Sequence, residues 1–463
     1  MTRSVGNQRF LKRTLLIAVP VMIQNLITNF VALIDNIMVG RVGTEEMSGV
    51  AIVNQLLFVF NITIFGVISG AGIFCAQFFG KADHTGVRYT FRFKFISAML
   101  VTVLGILLFV LAGDPLIRLY LHETEEGLDL EATFGFAKEY LAVMLIGLIP
   151  FSLEQVYAGT LREGGIALPP MVAGIIAVLV NTICNALLIF GIGPFPVMGV
   201  RGAAIATVLA RCIQCAIVVI WTHLHREKLP FIQGAYRSLH IPKELRNRIF
   251  IKGLLPLTAN ECLWSAGVAM LAQCYSVRGL DVVAGLNISN TVVNLFNVLY
   301  IAFGSGVSVV IGQLLGANDL AGAKKAAPRL IWCAAGICVV VGGIMACFAG
   351  IFPMAYNTTD AVRQLATQFI LVSAVIMPIH GLLHAMYFTL RAGGKTIITF
   401  LFDCGFSWGV TVPVAFVLSH YTAMPIIGVY ACAQGVELVK VIIGWVLIHK
   451  GVWLSNIVTE NAQ

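Results

Sequence analysis

The sequence predicts an all-α polytopic membrane protein whose twelve transmembrane helices form two six-helix bundles related by a parallel repeat. Three observations lead to this fold class: the composition, an internal duplication and the distribution of basic residues. Of the 463 residues, 59% are hydrophobic and only 11% are charged. Apolar runs recur along the whole chain, and a run of about 20 residues crosses about 30 Å of hydrocarbon at about 1.5 Å per residue.

The first block of an internal duplication is visible without any alignment gap, and the repeat resumes later at a different offset. Residues 20–88 recur 236 positions later, and residues 160–165 recur 229 positions later as residues 389–394. Most of the shared positions carry residues with special backbone or polar roles, among them Pro20/Pro256, Gly43/Gly279, Asn54/Asn290, Asn61/Asn297, Gln77/Gln313, Gly80/Gly316, Asp83/Asp319 and Gly199/Gly428. Generic apolar composition would not produce these identities, so the chain consists of two homologous halves.

The hydropathy pattern divides each half into six helices. We predict spans 1 to 12 near residues 14–38, 48–79, 92–112, 133–157, 166–191, 199–221, 251–276, 284–315, 327–350, 362–387, 396–418 and 426–448. Because six is even, both halves enter the membrane from the same side, which makes the repeat parallel. The predicted organisation is an N-terminal lobe over residues 1–225, a cytoplasmic linker over 226–250 and a C-terminal lobe over 251–463.

Basic residues orient this arrangement. A cytoplasmic N-terminus places 22 Lys and Arg on the inner side and six on the outer side. The two others, Arg211 and Lys440, lie within spans 6 and 12 at equivalent repeat positions, from which both can snorkel inward. We therefore expect a multi-pass protein of the cytoplasmic (plasma) membrane, which is the inner membrane in a two-membrane cell, with both termini cytoplasmic.

Several classes of function are disfavoured by what the sequence lacks. The net charge of +8 follows from membrane orientation, and no basic stripe with interleaved aromatic residues predicts nucleic-acid binding. The polar linker is too short for a soluble domain, and no nucleotide, zinc or nucleophile motif is present. We expect a monomer without cofactors that is not an enzyme, with membrane lipid around it and an ion gradient as its energy source.

Asparagines within the helices carry the first functional prediction. Span 8 places Asn287, Asn290, Asn294 and Asn297 on one helical face, and span 2 repeats part of this stripe with Asn54 and Asn61. An amide facing lipid would be unsatisfied, so the face meets either another helix or water. A single Asn within a span forms a hydrogen bond between helices about as often as it lines a cavity. Four in register favour the lining of a water-filled cavity.

Acidic residues within the helices carry the second prediction. Span 1 combines Asp35 with Gln24, Asn25 and Asn29, and a carboxylate at that depth is typical of an ion pathway. In span 7, Glu261 stands where the repeat has Asn25, so it has either a cation-site role or a structural role.

The other polar groups of the spans are assigned more structural roles. Asp403 and Glu154 are predicted to pair with loop cations, and Glu437 with Lys440. For His380 and His384, titration and simple hydrogen bonding both remain open, and two ligands do not predict a metal site.

The motifs resemble those of the multidrug and toxic compound extrusion (MATE) family over essentially the whole chain. The resemblance rests on Pro20 with Asp35 and residues 39–43, on Gln77-x-x-Gly80-x-x-Asp83, on residues 161–165 and on residues 199–204. It implies two six-helix lobes forming a V and export of amphipathic organic cations in exchange for Na⁺ or H⁺. It also implies that Asp35 couples the cation.

The match to the family pattern is incomplete in two places. In span 5 the family often has an acid four residues after an asparagine, whereas this chain has Asn181 and Asn185. Glu261 resembles the acid of one branch of the family, but span 10 here contains no Asp or Glu. The coupling ion is therefore left open between H⁺ and Na⁺.

The prediction drawn from residues and resemblance together is a secondary active antiporter that exports amphipathic organic cations by alternating access between two lobes. Asp35 and Glu261 are its candidate coupling residues. The candidate cavity residues are Gln24, Asn25, Asn29, Asn54, Asn61, Asn181, Asn185, Asn287, Asn290, Asn294 and Asn297. The first alternative is a lipid-linked oligosaccharide flippase of the same superfamily, which would need Arg and Lys in its cavity. A membrane-embedded enzyme or a channel is a more distant alternative.

Overall fold

The described part of the chain is helical throughout. The computed structural model describes residues 2–121, 129–356 and 358–459, with the backbone alone for residues 2–9, 30–37 and 40. Its α-helices are α1 Thr2–Gly40, α2 Thr44–Gly80, α3 His84–Arg118, α4 Leu130–Met144, α5 Leu148–Glu163, α6 Leu168–Phe190, α7 Gly199–Leu224, α8 Lys243–Ile249, α9 Leu255–Ser276, α10 Leu280–Gly316, α11 Leu320–Phe348, α12 Asp360–Ala392, α13 Thr396–Phe400, α14 Val412–Tyr421, α15 Ile426–Gly435 and α16 Glu437–Lys450. A 3-10 turn covers Phe352–Ala355, and π-helical turns cover Phe250–Leu254, Leu401–Gly405 and Ser407–Thr411.

The number of membrane spans agrees with the sequence. Among the described residues, eleven helices are long and apolar enough to cross a membrane, and the bent pair α4 and α5 makes a twelfth. The two axes of that pair differ by 49°. Gly147 lies at the bend, and Pro150 lies in the first turn of α5, where a proline is tolerated because that N–H would have no partner within the helix. The proline also prevents α4 from continuing as a regular helix through the bend. The prediction of an all-α polytopic protein with twelve spans is confirmed.

The duplication appears in the backbone as well as in the sequence. Helices α2 and α10 each contain 37 residues, and their ends fall on equivalent repeat positions. Both are followed by a turn whose central residue is left-handed, with φ of 58° at Ala82 and 59° at Asn318. Since these are uncommon conformations for residues other than glycine, the two halves share the geometry of this turn and not only its composition.

Two compact units divide the chain, and neither is continuous in sequence. One unit contains Met1–Met22, Ala76–Asp83 and Arg248–Gln463, and the other contains Ile23–Cys75 and His84–Asn247. The first unit has an aromatic core in which Tyr430 contacts Tyr275 and Phe369 edge-on and shares a buried hydrogen bond with Ser373. Such contacts bury large apolar area and fix the helices of this unit against one another.

A close helix crossing lies within the first unit, at the repeated Gln-x-x-Gly motif. A methyl group on Gly316 would lie 2.5 Å from the carbonyl carbon of Gln77, and one on Gly80 would lie 2.6 Å from that of Gln313. The two copies of the motif therefore touch reciprocally, each glycine against the backbone of the other copy's glutamine. Glycine is required at both positions because any side chain would collide with backbone atoms.

The Gln77 side chain also binds the C-terminal segment. Its amide donates to the carbonyl oxygens of Ala392 at 2.9 Å and Ser455 at 3.2 Å, and its oxygen accepts from the Ile457 amide at 2.9 Å. Trp453 is 1% exposed, and its indole donates to the Ile448 carbonyl. One buried glutamine thus satisfies three backbone groups that would otherwise lack partners.

In the second unit, arginines of α3 hold the segment that follows α7. Arg92 donates to the carbonyl oxygens of Gly234, Ala235 and His240, at distances of 2.8 to 3.0 Å. One turn earlier, Arg88 donates to two further carbonyls of the same segment. These charge-assisted hydrogen bonds fasten an irregular segment to a helix end.

Candidate functional site

The asparagine stripe of α10 faces away from the packed side of its helix. Asn287, Asn290 and Asn294 are exposed within the chain, and Asn297 is half-buried. The intervening Ile288 and Val292 are buried. Three amides on the unpacked face of a membrane-spanning helix do not link it to neighbours within the unit, so their partners are water, ligand or groups outside the unit.

The corresponding stripe of α2 is partly similar. Asn54 is exposed, like its repeat mate Asn290. Asn61 is half-buried, and no donor among the described residues reaches its covered oxygen. This unsatisfied acceptor is the type of group that a bound water or cation stabilises.

The predicted polar face of α1 is only partly described. Gln24 is buried, Asn25 is half-buried and Asn29 is exposed. The Arg162 guanidinium donates to the Gln24 oxygen at 3.2 Å. The side chain of Asp35 lies outside the described part of the chain, so its predicted role remains a prediction.

Two further predicted cavity residues lie in the interior of the second unit. The Asn185 amide donates to the Asn181 oxygen at 3.3 Å, and Asn181 donates to the Thr207 hydroxyl at 3.3 Å. Both asparagines are buried. They form a polar connection between α6 and α7, and Thr207 is a member of it that the sequence pattern did not indicate.

A cluster of charged side chains lies within the membrane-spanning helices of the first unit. The Lys440 ammonium lies 2.9 Å from an Asp403 oxygen and 3.5 Å from a Glu437 oxygen. The lysine side chain is only 7% exposed. The predicted pair of Glu437 with Lys440 is therefore present, whereas two other predictions are wrong: Asp403 pairs with a lysine inside a span and not with a loop cation, and Lys440 does not snorkel inward.

The backbone around Asp403 departs from a regular α-helix. The residue lies in the π-helical turn Leu401–Gly405, and a second π turn follows at Ser407–Thr411. A π turn adds one residue to a helical turn and changes which side chains face a neighbouring helix, and such turns are frequent at functional sites. A sequence pattern that assumes a regular α-helix does not show that Asp403 faces Lys440 of α16, so the sequence predicted a loop cation as its partner.

Asn260 connects Asp403 to Tyr387, whose ring lies beside Arg391 of a second ion pair. Its amide donates to Asp403 at 3.2 Å and to the Tyr387 hydroxyl at 3.1 Å, while its own oxygen is buried without a donor among the described residues. The adjacent Glu261 lies 3.7 Å from Arg391. We call the five charged residues of this region the carboxylate cluster: Glu261, Arg391, Asp403, Glu437 and Lys440.

The two histidines of α12 lie beside the carboxylate cluster. The distance between ring centroids is 4.4 Å from Tyr300 to His384 and 6.1 Å from Tyr300 to His380. His384 is within electrostatic reach of Asp403 and Lys440. The described residues contain no group of three or more His, Cys, Asp or Glu arranged to hold a metal ion.

The chain is similar to known membrane proteins over most of its length. The MatE family profile matches residues 20–187 and 256–417. The probable multidrug resistance protein YoeA of Bacillus subtilis (strain 168) is 25% identical over 464 residues, which cover 97% of this chain and 95% of that protein. The probable multidrug resistance protein NorM of Thermotoga maritima is 28% identical over 436 residues, which cover 90% of this chain and 88% of that protein. A crystal structure of MATE in complex with MaL6 matches with a TM-score of 0.86 at 19% identity, covering 97% of this chain and 99% of that one.

The fold and the polar groups within its spans define an integral, multi-pass membrane transporter, not an enzyme. Since the profile covers well over half of the sequence, the chain belongs to the MATE family, the multidrug and toxic compound extrusion transporters. The resemblance noted in the repeated motifs is thereby confirmed.

Proposed function

We propose that this transporter exports amphipathic organic cations in exchange for an inward flow of H⁺ or Na⁺. The observation that supports the proposal most strongly is the carboxylate cluster. It sets three carboxylates against two fixed cations, which leaves one negative charge when both neighbouring histidines are neutral. A buried negative charge in a membrane is costly, so a proton, a metal ion or a cationic substrate lowers its free energy.

The buried side-chain oxygen of Asn260 has no hydrogen-bond donor among the described residues, so it can coordinate a cation that binds at the carboxylate cluster. It is buried beside Asp403, and the adjacent residue is Glu261. Carboxylate and amide oxygens are ligands that hard cations prefer. A cation-exchange role for Glu261 is consistent with this environment, although Arg391 already offsets part of its charge.

Asp35 is the other proposed coupling residue. The sequence supports this role because span 1 supplies amides around the carboxylate but no Lys or Arg in its core. A single carboxylate that is neutralised either by the coupling ion or by the substrate binds the two in alternation. Antiport follows from that exclusion, since each bound species must leave before the other binds.

The proposed orientation and substrate path complete the scheme. Both termini and the segment 226–250 are proposed to be cytoplasmic in a plasma-membrane protein that acts as a monomer. The exposed asparagines of α2 and α10 are proposed to line the substrate cavity, because hydrated amides accommodate varied cations without one fixed partner. Alternating access between two lobes, over residues 1–225 and 251–463, is the proposed transport cycle.

The flippase alternative requires cations free to bind a pyrophosphate. Of the two cations placed within spans 6 and 12, Lys440 does not meet this requirement because two carboxylates already neutralise it. Arg211 supplies only a single positive charge, whereas a pyrophosphate carries several negative charges. The cation exporter is therefore favoured over the flippase.

Purified protein in proteoliposomes tests the proposal. A fluorescent organic cation should be concentrated against its gradient when either a pH gradient or a Na⁺ gradient is imposed, and the effective gradient identifies the coupling ion. The exposed pair of Asp114 and Lys138 supplies a control, because Asp114→Asn removes a carboxylate without touching the proposed sites. Failure of both gradients to drive concentration would overturn the antiport proposal.

A further inference from the structure

A second intramembrane cation, Arg211, has no acidic partner among the described residues, unlike its repeat mate Lys440. Arg211 of α7 and Lys440 of α16 occupy equivalent positions, 229 residues apart. The positions equivalent to Asp403 and Glu437 are Gly174 and Val208. The second unit therefore keeps the cation but has lost both carboxylates that neutralise it in the first.

The surroundings of Arg211 are packed and apolar. Its guanidinium carbon lies 4.9 Å from the ring centroid of Phe151, a cation–π contact that fixes its position. Its side chain also packs against Gly147, where an added methyl would lie 3.4 Å from the Arg211 Cδ. Tyr140 is an ionisable group within electrostatic reach of it. Its Nη1 is covered and has no acceptor within the same part of the chain.

The depth of Arg211 makes simple snorkelling an insufficient explanation. It lies 12 residues from the start of α7 at Gly199 and 13 from the end at Leu224. At about 1.5 Å per residue, this is about 18 Å from either end of the helix. An arginine near the middle of a span is costly unless it is paired.

We propose that Arg211 binds a carboxylate carried by the transported molecule, so that the preferred substrates are amphiphiles with both a cationic group and an acidic group. A guanidinium matches a carboxylate with two parallel hydrogen bonds. Arg211 as a whole is partly exposed, and its covered Nη1 is an unsatisfied donor that a carboxylate bound beside it can pair. Phe151 offers an aromatic surface beside it for the apolar part of the ligand. The inference rests on the proposed export function and specifies its substrate class.

Rhodamine B and its ethyl ester make a matched pair of fluorescent probes, because they differ in one carboxylate that is ionised at neutral pH. Binding to purified protein in detergent is measured by fluorescence anisotropy. Wild-type protein should bind rhodamine B more tightly than the ester. Arg211→Gln should weaken rhodamine B binding by about 10- to 100-fold, the range for losing a hydrogen bond to a charged group, and should leave ester binding unchanged.

Two further variants keep the test decisive. Arg201→Gln removes an exposed arginine near the outer end of the same helix and should change neither affinity. Arg211→Lys keeps the charge but loses the planar fork, so it should retain part of the preference. If Arg211→Gln does not fold, the affinities of Arg211→Lys for the two dyes test the proposal instead. Equal affinity of wild-type protein for the two dyes, or an equal loss of both in the Arg211 variants, would overturn the proposal.

A lipid phosphate is the other source of an anionic group. If phosphatidylglycerol in the micelle displaces rhodamine B from wild-type protein while Arg211→Gln is insensitive to it, the site belongs to lipid and the proposal is wrong. Transport separates the two proposals. If gradients drive export of neither dye while carboxylate selectivity still depends on Arg211, the export function fails and the binding site stands.

Discussion

Replacing Gly316 by alanine should destabilise the protein through the crossing of α2 and α10. The added methyl would lie 2.5 Å from the carbonyl carbon of Gln77 and 2.7 Å from its Cα, and closer still to its oxygen. These are backbone atoms within a helix, so no side-chain rotation relieves the overlap. The two helices must separate, or one must shift along the other.

The expected magnitude follows from two opposing effects. Overpacking of this kind costs about 1–3 kcal/mol, whereas alanine in place of glycine within a helix gains up to about 1 kcal/mol of helix propensity. Gly336 of α11 provides the matched control, because nothing lies within 4 Å of a methyl added there. Gly336→Ala should gain the propensity without the collision. The two variants should therefore differ by about 1–3 kcal/mol or somewhat more.

Thermal unfolding of purified protein in detergent measures the difference, and the reciprocal glycine sharpens it. Gly80→Ala meets the Gln313 backbone in the same way, so it should lower the unfolding midpoint about as much as Gly316→Ala. Separating the helices once relieves both collisions, so the double variant should lose less than the sum of the single losses. A Gly316→Ala protein as stable as Gly336→Ala would refute the close crossing, and strict additivity would refute its reciprocity.

Three other predictions concern the spans and their orientation. Lys440→Gln leaves buried carboxylates uncompensated and should lower the free energy of unfolding, measured by chemical denaturation, by about 3–5 kcal/mol. Adding Asp403→Asn to this variant should restore part of the lost stability. An unchanged stability would mean that the ion pair is solvated. Asn294→Leu should lower transport in proteoliposomes while changing stability by no more than about 0.5 kcal/mol, because the amide is on an exposed face; misfolding without a transport-specific effect would make the stripe a packing feature. A cysteine at Glu126 should react with an impermeant maleimide in intact cells and one at Lys243 should not, and the reverse pattern would overturn the proposed orientation.

Much of the fold could be predicted because helix length and repeat spacing depend on local properties. Apolar runs set the spans, and the identity of turn residues such as Gly80 and Gly316 placed the ends of α2 and α10 at equivalent positions. What those glycines touch could not be predicted. The Gln77 contacts join positions more than 300 residues apart, and no local pattern specifies such a pairing.

The candidate site was predictable in its residue types but not in its pairing. The repeat shows that Arg211 and Lys440 are equivalent, and the sequence shows that both are intramembrane cations. The repeat also shows that Gly174 and Val208 replace the two carboxylates near Lys440. What the sequence could not show is that Asp403, in a π-helical turn, contacts Lys440 and Asn260. Irregular helical turns shift every following side chain around the axis, which a constant period of 3.6 residues cannot represent.

Transport by the Asp35→Asn variant tests the central claim most directly. The substitution keeps size and hydrogen bonding but removes the charge that ion and substrate are proposed to share. In proteoliposomes with an imposed pH or Na⁺ gradient, wild-type protein and the Asp114→Asn control should concentrate a fluorescent cation, whereas Asp35→Asn should only equilibrate it. Concentrative transport by Asp35→Asn at the wild-type rate would contradict the account, and Glu261→Gln would then be the variant on which coupling must depend.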